Sequence, residues 1–334
     1  MMIRKRYECF KQVQFIVLFC VLLNVQNAIA QTPSNAIVPP VTTQALLPIP
    51  PAYYSNIPIN YVRVWDVTKP ITDPQKVTNS NRTIDEVKQT TQYFDGLGRP
   101  LQTVAEKVSP NGNDQVSMNI YDAFGREAYQ YLPYTSTSSD GNMKMNPFTE
   151  ENTFLKNMYN PTNDTDGEKF FYNKTDFEAS FQNRPTTSYA AGNSWVGNGK
   201  GISMHYLVNL LTDSVCIWDI PFTEGSTPVS SGFYEAGSLY KNTTTDEQGN
   251  NVIEYKDKDG KVILKKVQFL SNPSTGPAGW LNTYYIYDKL GNLRFVLQPK
   301  AVEWLLTHNW NFDSNTWQNS LIAKELCFSY EYDD

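Results

Sequence analysis

The run Gly197-Asn198-Gly199-Lys200-Gly201 invites a phosphate-loop reading. Such a loop needs Gly, four residues, Gly-Lys, then Ser or Thr for the metal. Position 194 is Ser and position 201 is Gly, so the pattern fails at both ends and reads as a flexible turn. Asp164-Thr165-Asp166-Gly167 looks like half of a calcium loop, but Thr162 stands in place of the first ligand and Asn173 in place of the bidentate Glu. It too reads as a turn. His205 and His308 are the only two histidines, and neither has a Ser or Cys in a nucleophile motif beside it. Both read as structural. Cys9 and Cys20 fall in the N-terminal leader described below, which leaves Cys216 and Cys327. Export would permit their oxidation, but their apolar strand surroundings favour two buried thiols. No catalytic residue, metal ligand set or cofactor site emerges, and the chain reads as a non-enzyme.

Two further sets of side chains have a binding reading beside a structural one. Trp195, Trp218, Trp280, Trp304, Trp310 and Trp317 could stack sugars. Large aromatics dominate β-protein interiors, so core packing is the better account. Arg99, Arg126 and Arg294 follow turn glycines at equivalent or near-equivalent positions. They could form a ligand-binding ladder. Ion pairs with the turn Asp or Glu of neighbouring hairpins are the better account.

The elements that position these arginines repeat along the chain. Asp95-Gly96-Leu97-Gly98-Arg99 and Asp122-Ala123-Phe124-Gly125-Arg126 share an Asp-x-x-Gly core, and Asp246 to Gly249, Asp257 to Gly260 and Asp288 to Gly291 repeat it. Asp opening a type I turn bonds its side chain to the backbone two residues on. Gly in the fourth position adopts positive φ without a Cβ clash. The combination closes a hairpin with a bulge. Aromatic and β-branched residues flank each copy, as a pleated surface prefers. Several copies indicate an array of hairpins. The expected fold is mostly β: antiparallel hairpin repeats forming an open, curved sheet, with a few short helices. Helical turns are expected at Asn152 to Met158, at Ala301 to Leu306 behind Pro299, and at Leu321 to Leu326. His205 to Asn209 and Val215 to Trp218 read as paired strands. Leu293, Phe295 and Leu297 should share a buried face at period two.

The chain has 334 residues, 40% hydrophobic and 13% aromatic, enough for a large core with a β-rich, turn-rich profile. A net charge of −6 argues against nucleic acid as a partner. Residues 1–30 read as an export signal: Arg4, Lys5 and Arg6, an apolar stretch from Phe15 to Leu23, then Ala28-Ile29-Ala30 ahead of Gln31. The apolar stretch is shorter than the ~20 residues of a spanning helix, so no membrane span is expected after cleavage. Cys20 offers a lipoprotein alternative, with bulky Phe19 where a small residue is expected. Residues 31–60 carry seven prolines, Pro33, Pro39, Pro40, Pro48, Pro50, Pro51 and Pro58, and read as a linker. Residues 61–229 form a β domain with an insertion, and 230–334 are hairpin repeats. The closing Tyr330-Glu331-Tyr332-Asp333-Asp334 reads as the opening of another unit.

Tyr93 to Val104 and Tyr121 to Glu127, with Tyr255 to Gly260 and Tyr285 to Leu297, resemble the N-terminal domain and first repeats of bacterial RHS-repeat (YD-repeat) proteins. The resemblance runs over roughly residues 60–334. It implies a large secreted or surface β-protein whose repeats build a spiralling sheet around a C-terminal cargo, often a toxin. The chain has few repeats, long insertions and no self-cleaving core. The expected function is an exported scaffold at the cell surface or a shell entrance, outside the cell or in the periplasm. Its partner would be the rest of a longer RHS polypeptide or a surface glycan. A carbohydrate-binding surface module is the alternative, and a secreted hydrolase is disfavoured.

Overall fold

A computed structural model describes residues 44–54, 59–79, 81–160, 167–221, 223 and 225–332. The export signal and the aspartates of the calcium-like turn lie outside the described residues. Fifteen strands form an open antiparallel sheet, a two-stranded ribbon stands apart from it, and there are four short α-helices among the described residues. Two compact units divide the chain between Met204 and His205, within a strand, β9 below.

The first unit contains β1 (Asn60–Val67), α1 (Pro74–Thr78), β2 (Val87–Phe94), β3 (Pro100–Ala105), β4 (Gln115–Ile120), β5 (Tyr129–Tyr131), β6 (Tyr134–Thr135), α2 (Pro147–Tyr159), β7 (Tyr172–Phe177) and β8 (Pro185–Tyr189). β2 alternates strictly, with Val87, Gln89, Thr91 and Tyr93 buried and the residues between them turned outward. Period two is the signature of a half-buried strand. Its inner face is half polar, and the polar half is satisfied. The Thr91 hydroxyl accepts from Arg63 Nε at 2.8 Å, and Gln89 Oε1 accepts from Arg82 at 2.7 Å. Farther along, buried Lys144 donates to Asp114 and Asp140, each at 2.7 Å. The apolar half is Tyr93, Val104, Val116, Met118 and Tyr134, covered by Phe148 of α2.

α2 extends the expected helical turns at both ends. Pro147 starts it, since the first helical position has no use for an N–H and the ring fixes a helical φ. Residues 44–54 have no regular secondary structure, yet they are docked rather than loose. Gln44 N donates to Gly197 O at 3.0 Å and Tyr53 N to Met145 O at 2.8 Å. Leu47 and Tyr53 join apolar clusters. Prolines leave this stretch few donors, so side-chain burial holds it in place.

The division between units falls within β9 (Ile202–Val208). The second unit continues with β10 (Cys216–Asp219), β11 (Val229–Phe233), β12 (Tyr240–Thr245), β13 (Asn251–Lys256), β14 (Val262–Gln268), β15 (Trp280–Tyr287), β16 (Leu293–Leu297), α3 (Pro299–Thr307), α4 (Leu321–Leu326) and β17 (Cys327–Ser329). Tyr255, Leu264, Tyr284, Ile286, Phe295 and Leu297 face α3 residues Ala301, Val302 and Leu305 in one core. Phe295 and Leu297 are buried as their spacing demands, while Leu293 is half-buried. β10 does not pair with the strand at His205, contrary to the sequence reading. It pairs with β11. The cause is local. Asp213 Oδ2 accepts from Leu210 N at 2.8 Å, and Ser214 turns left-handed at φ 51°, which sends the chain off the sheet.

Candidate functional site: the stacked turns

Each Asp-x-x-Gly turn is held by its aspartate. In the first, Gly98 N donates to Asp95 O at 3.0 Å, and Asp95 Oδ1 accepts from Leu97 N and Arg99 N, both at 2.8 Å. In the second, Asp122 Oδ1 accepts from Phe124 N and Arg126 N, both at 2.9 Å. Asp246, Asp257 and Asp288 repeat the pattern, accepting from Asn250, Lys261 and Asn292 N at 2.8 Å each. The closing glycines are left-handed, with φ of 78° at Gly98, 79° at Gly125, 88° at Gly249, 81° at Gly260 and 87° at Gly291. The carboxylate therefore spans two backbone donors, not one.

The arginines close the turns from outside. Nε and Nη2 of Arg99 both reach Asp95 Oδ2 at 2.7 Å, and the same atoms of Arg126 reach Asp122 Oδ2 at 2.8 Å. Arg294 lies 3.7 Å from Asp288 and donates Nε to Tyr330 O at 2.9 Å. The Arg99 and Arg126 ion pairs are thus within their own turns, and Arg294 likewise approaches the aspartate of its own hairpin, not a neighbouring one. A five-residue turn brings its first and last side chains together, so the nearest partner wins. Backbone bonds from Arg99 outweigh desolvation and hold the Asp95 carboxyl below the ordinary range. For Asp122 and Asp288, desolvation pushes up but the hydrogen bonds to the turn prevail, and both are lowered.

Contact between turns is made by aromatic rings instead. The Arg99 guanidinium sits 4.3 Å from the centroid of Tyr121, whose hydroxyl donates to Pro100 O at 2.9 Å. In the second unit Lys261 Nζ sits 5.5 Å from the centroid of Tyr287, whose hydroxyl donates to Val262 O at 3.3 Å. The positions correspond: the base follows the turn glycine, the acceptor follows the base, and the tyrosine precedes the next turn's aspartate. Arg126 continues the first series, 4.7 Å from the Phe177 centroid and bonded to Asn183 Oδ1 at 3.1 Å. A Cβ on Gly125 would lie 3.2 Å from Arg99 Nη1, and one on Gly291 would meet Lys261 Nζ. Glycine thus serves both the backbone angle and the approach of the previous turn's base. Leu97, Phe124 and Leu290 at the turn tips are 79, 78 and 89% exposed. The sequence reading took the tyrosines for strand formers and missed these rungs. The signal was present as Tyr-Asp opening two of the turns.

This arrangement consumes its own charges. Carboxylates lowered by backbone donors and guanidinium groups are poor general acids. Of the remaining candidates, His205 is exposed and the others are packed or bonded. In the glycine-rich run, Val196–Asn198 is a short 3-10 turn, Gly197 packs on Phe170, and Lys200 lies over the Trp195 ring. His205 lies on β9. His308 stacks on Trp304 with ring centroids 3.7 Å apart, and its Nδ1 lies 2.8 Å from Trp304 O. Cys216 and Cys327 are free thiols, which burial pushes up to about 11 and about 12. Trp218 is buried, and Trp280, Trp304, Trp310 and Trp317 pack against the same core. No group of three or more His, Cys, Asp or Glu among the described residues is placed to hold a metal. No helix among them is long and apolar enough to cross a membrane.

No curated protein matches the chain. Solved structures of TcdB2-TccC3, TcdB2-TccC3-TEV and the Photorhabdus luminescens Tc holotoxin pore are similar to it at 16, 15 and 14% identity, with TM-scores of 0.39, 0.41 and 0.39. The matches cover 70, 76 and 73% of this chain but only 10, 11 and 10% of those chains. The chain therefore spans about a tenth of their length. Residues 64–208 match a family model described as a domain of unknown function, DUF6443.

Proposed function

We propose that the chain is an exported structural scaffold of RHS-repeat type, at the cell surface or at the entrance of a shell for a cargo encoded beyond it. The observation that carries this reading is the recurrence of one turn-and-rung geometry at Arg99–Tyr121 and at Lys261–Tyr287. A repeat that closes a hairpin by backbone bonds and an internal ion pair, and joins it to the next through a ring, suits a load-carrying sheet. The aspartates that open the turns are engaged by the backbone of their own turns. The resemblance of the Tyr-Asp repeats to RHS proteins supports the same assignment. Five of the six candidate tryptophans, Trp218 buried and Trp280, Trp304, Trp310 and Trp317 packed against its core, are engaged in packing, which favours the scaffold over a glycan-binding surface.

The test is fractionation of cells producing the full chain with a C-terminal tag, combined with protease treatment of intact cells. The expected result is protease-accessible or released protein whose N-terminus is Gln31. Protein confined to the cytoplasm with Met1 intact would defeat the export reading. A broad hydrolase screen on the purified chain should be blank. Turnover that disappears on mutation of a clustered acid or histidine would replace the scaffold with an enzyme.

A further inference from the structure

A second feature of the first unit lies away from the turns. Glu151 of α2 is 2% exposed, and its Oε1 meets no hydrogen-bonding group among the described residues. That oxygen has lost its hydration and gained no bond in return. Glu151 lines a cavity of about 70 Å³ between the docked segment at residues 46–50, α2 and the start of β7. The walls are apolar and aromatic, with Leu46, Ile49, Tyr131, Phe148, Phe171 and Tyr172 among them. Two exposed lysines, Lys156 and Lys169, also line the cleft, and Glu151 is its sole acid among the described residues.

We propose that this cleft binds a short-chain monocarboxylate, whose anionic oxygen accepts a hydrogen bond from the Glu151 carboxyl and whose alkyl tail lies on the aromatic wall. Burial pushes Glu151 up to about 8, so near neutral pH it keeps its proton and is a donor. An O–H to carboxylate bond is among the stronger protein hydrogen bonds. The lysines give the entrance the sign that draws in an anion. At roughly 10–15 Å³ per water-sized sphere, the cavity holds about five to seven such spheres, the size of butanoate. An alkylammonium of equal size would have to pass both lysines and ionise a desolvated acid.

The test is a heteronuclear NMR titration of the purified full chain with sodium butanoate, and separately with butylammonium chloride at equal ionic strength, at mildly acidic pH. Saturable shifts with butanoate and none with butylammonium are expected. Glu151→Leu should weaken binding at least about tenfold, as one charge-assisted bond is lost. Lys156→Glu with Lys169→Glu should weaken it too. Binding to the parent should fade as Glu151 ionises near its raised pKa. The tyrosines facing the cleft, Tyr131 and Tyr172, are pushed further upward by burial and do not account for that fading. Glu151→Gln keeps an N–H donor and cannot ionise. It should bind at mildly acidic pH without the alkaline loss, a readout that stands if Glu151→Leu fails to fold. No saturable butanoate binding by folded protein, equal binding of butylammonium, or an unchanged alkaline loss in Glu151→Gln would each overturn the proposal.

Discussion

Gly98 and Gly125 separate the two demands placed on a turn glycine. Both are left-handed, at φ of 78° and 79°. A Cβ on Gly98 would meet nothing within 4 Å, whereas one on Gly125 would lie 3.2 Å from Arg99 Nη1. Gly98→Ala should therefore cost only the conformational term, about 1–2 kcal/mol for an L-residue in that region. Gly125→Ala should add the partial displacement of Arg99 from the Tyr121 ring, about 0.5–1 kcal/mol for a cation–π contact of this exposure. The assay is equilibrium urea unfolding of both variants, each made in the parent and in an Arg99→Ala background. In the parent, Gly125→Ala should be the more destabilising. Without Arg99 the two should be equal, since nothing remains for the new Cβ to displace. If the gap persists when Arg99 is removed, the glycine does not report on the rung. If neither variant loses stability, the left-handed turn is wrong and the hairpin array loses its physical basis.

Asp122→Ala removes an acceptor shared by two backbone N–H groups and the Arg126 fork, so it should cost about 2–3 kcal/mol in the same urea assay; a cost below 0.5 kcal/mol would contradict that bonding. Tyr121→Phe deletes the bond to Pro100 O but keeps the ring over Arg99, and about 1 kcal/mol should be lost, against more for Tyr121→Ala. The folded-state pKa values of Asp122 and Asp288 are lowered. Their contribution is present above the unfolded carboxyl pKa and is lost as pH falls through the folded one, so acid titration should show stability declining below about pH 4. Glu151 has the opposite sign, its folded pKa raised to about 8. Its contribution is complete below the unfolded value and is lost as pH rises toward 8, a slope that Glu151→Gln should remove.

What the sequence determined by itself is local. Asp at the head of a turn and Gly at its foot are fixed by bonds within five residues, so the motif, its left-handed glycine and its hairpin were legible without a fold. The three expected helices were legible for the same reason, although α2 begins earlier because Pro147 initiates it. The tertiary structure decided what each turn's neighbours do. Arg99 finds Asp95 four residues away, and only the alignment of β3, β4 and β5 brings Tyr121 over its guanidinium. Partner choice for β10 likewise waited on a left-handed Ser214, a conformation a serine does not announce. Glu151 is the extreme case. On a helical wheel it is one more acid on a polar sequence, and only the closure of residues 46–50 and Phe171 over α2 takes it out of water. Burial is a property of what packs on top, and no spacing along the chain encodes it.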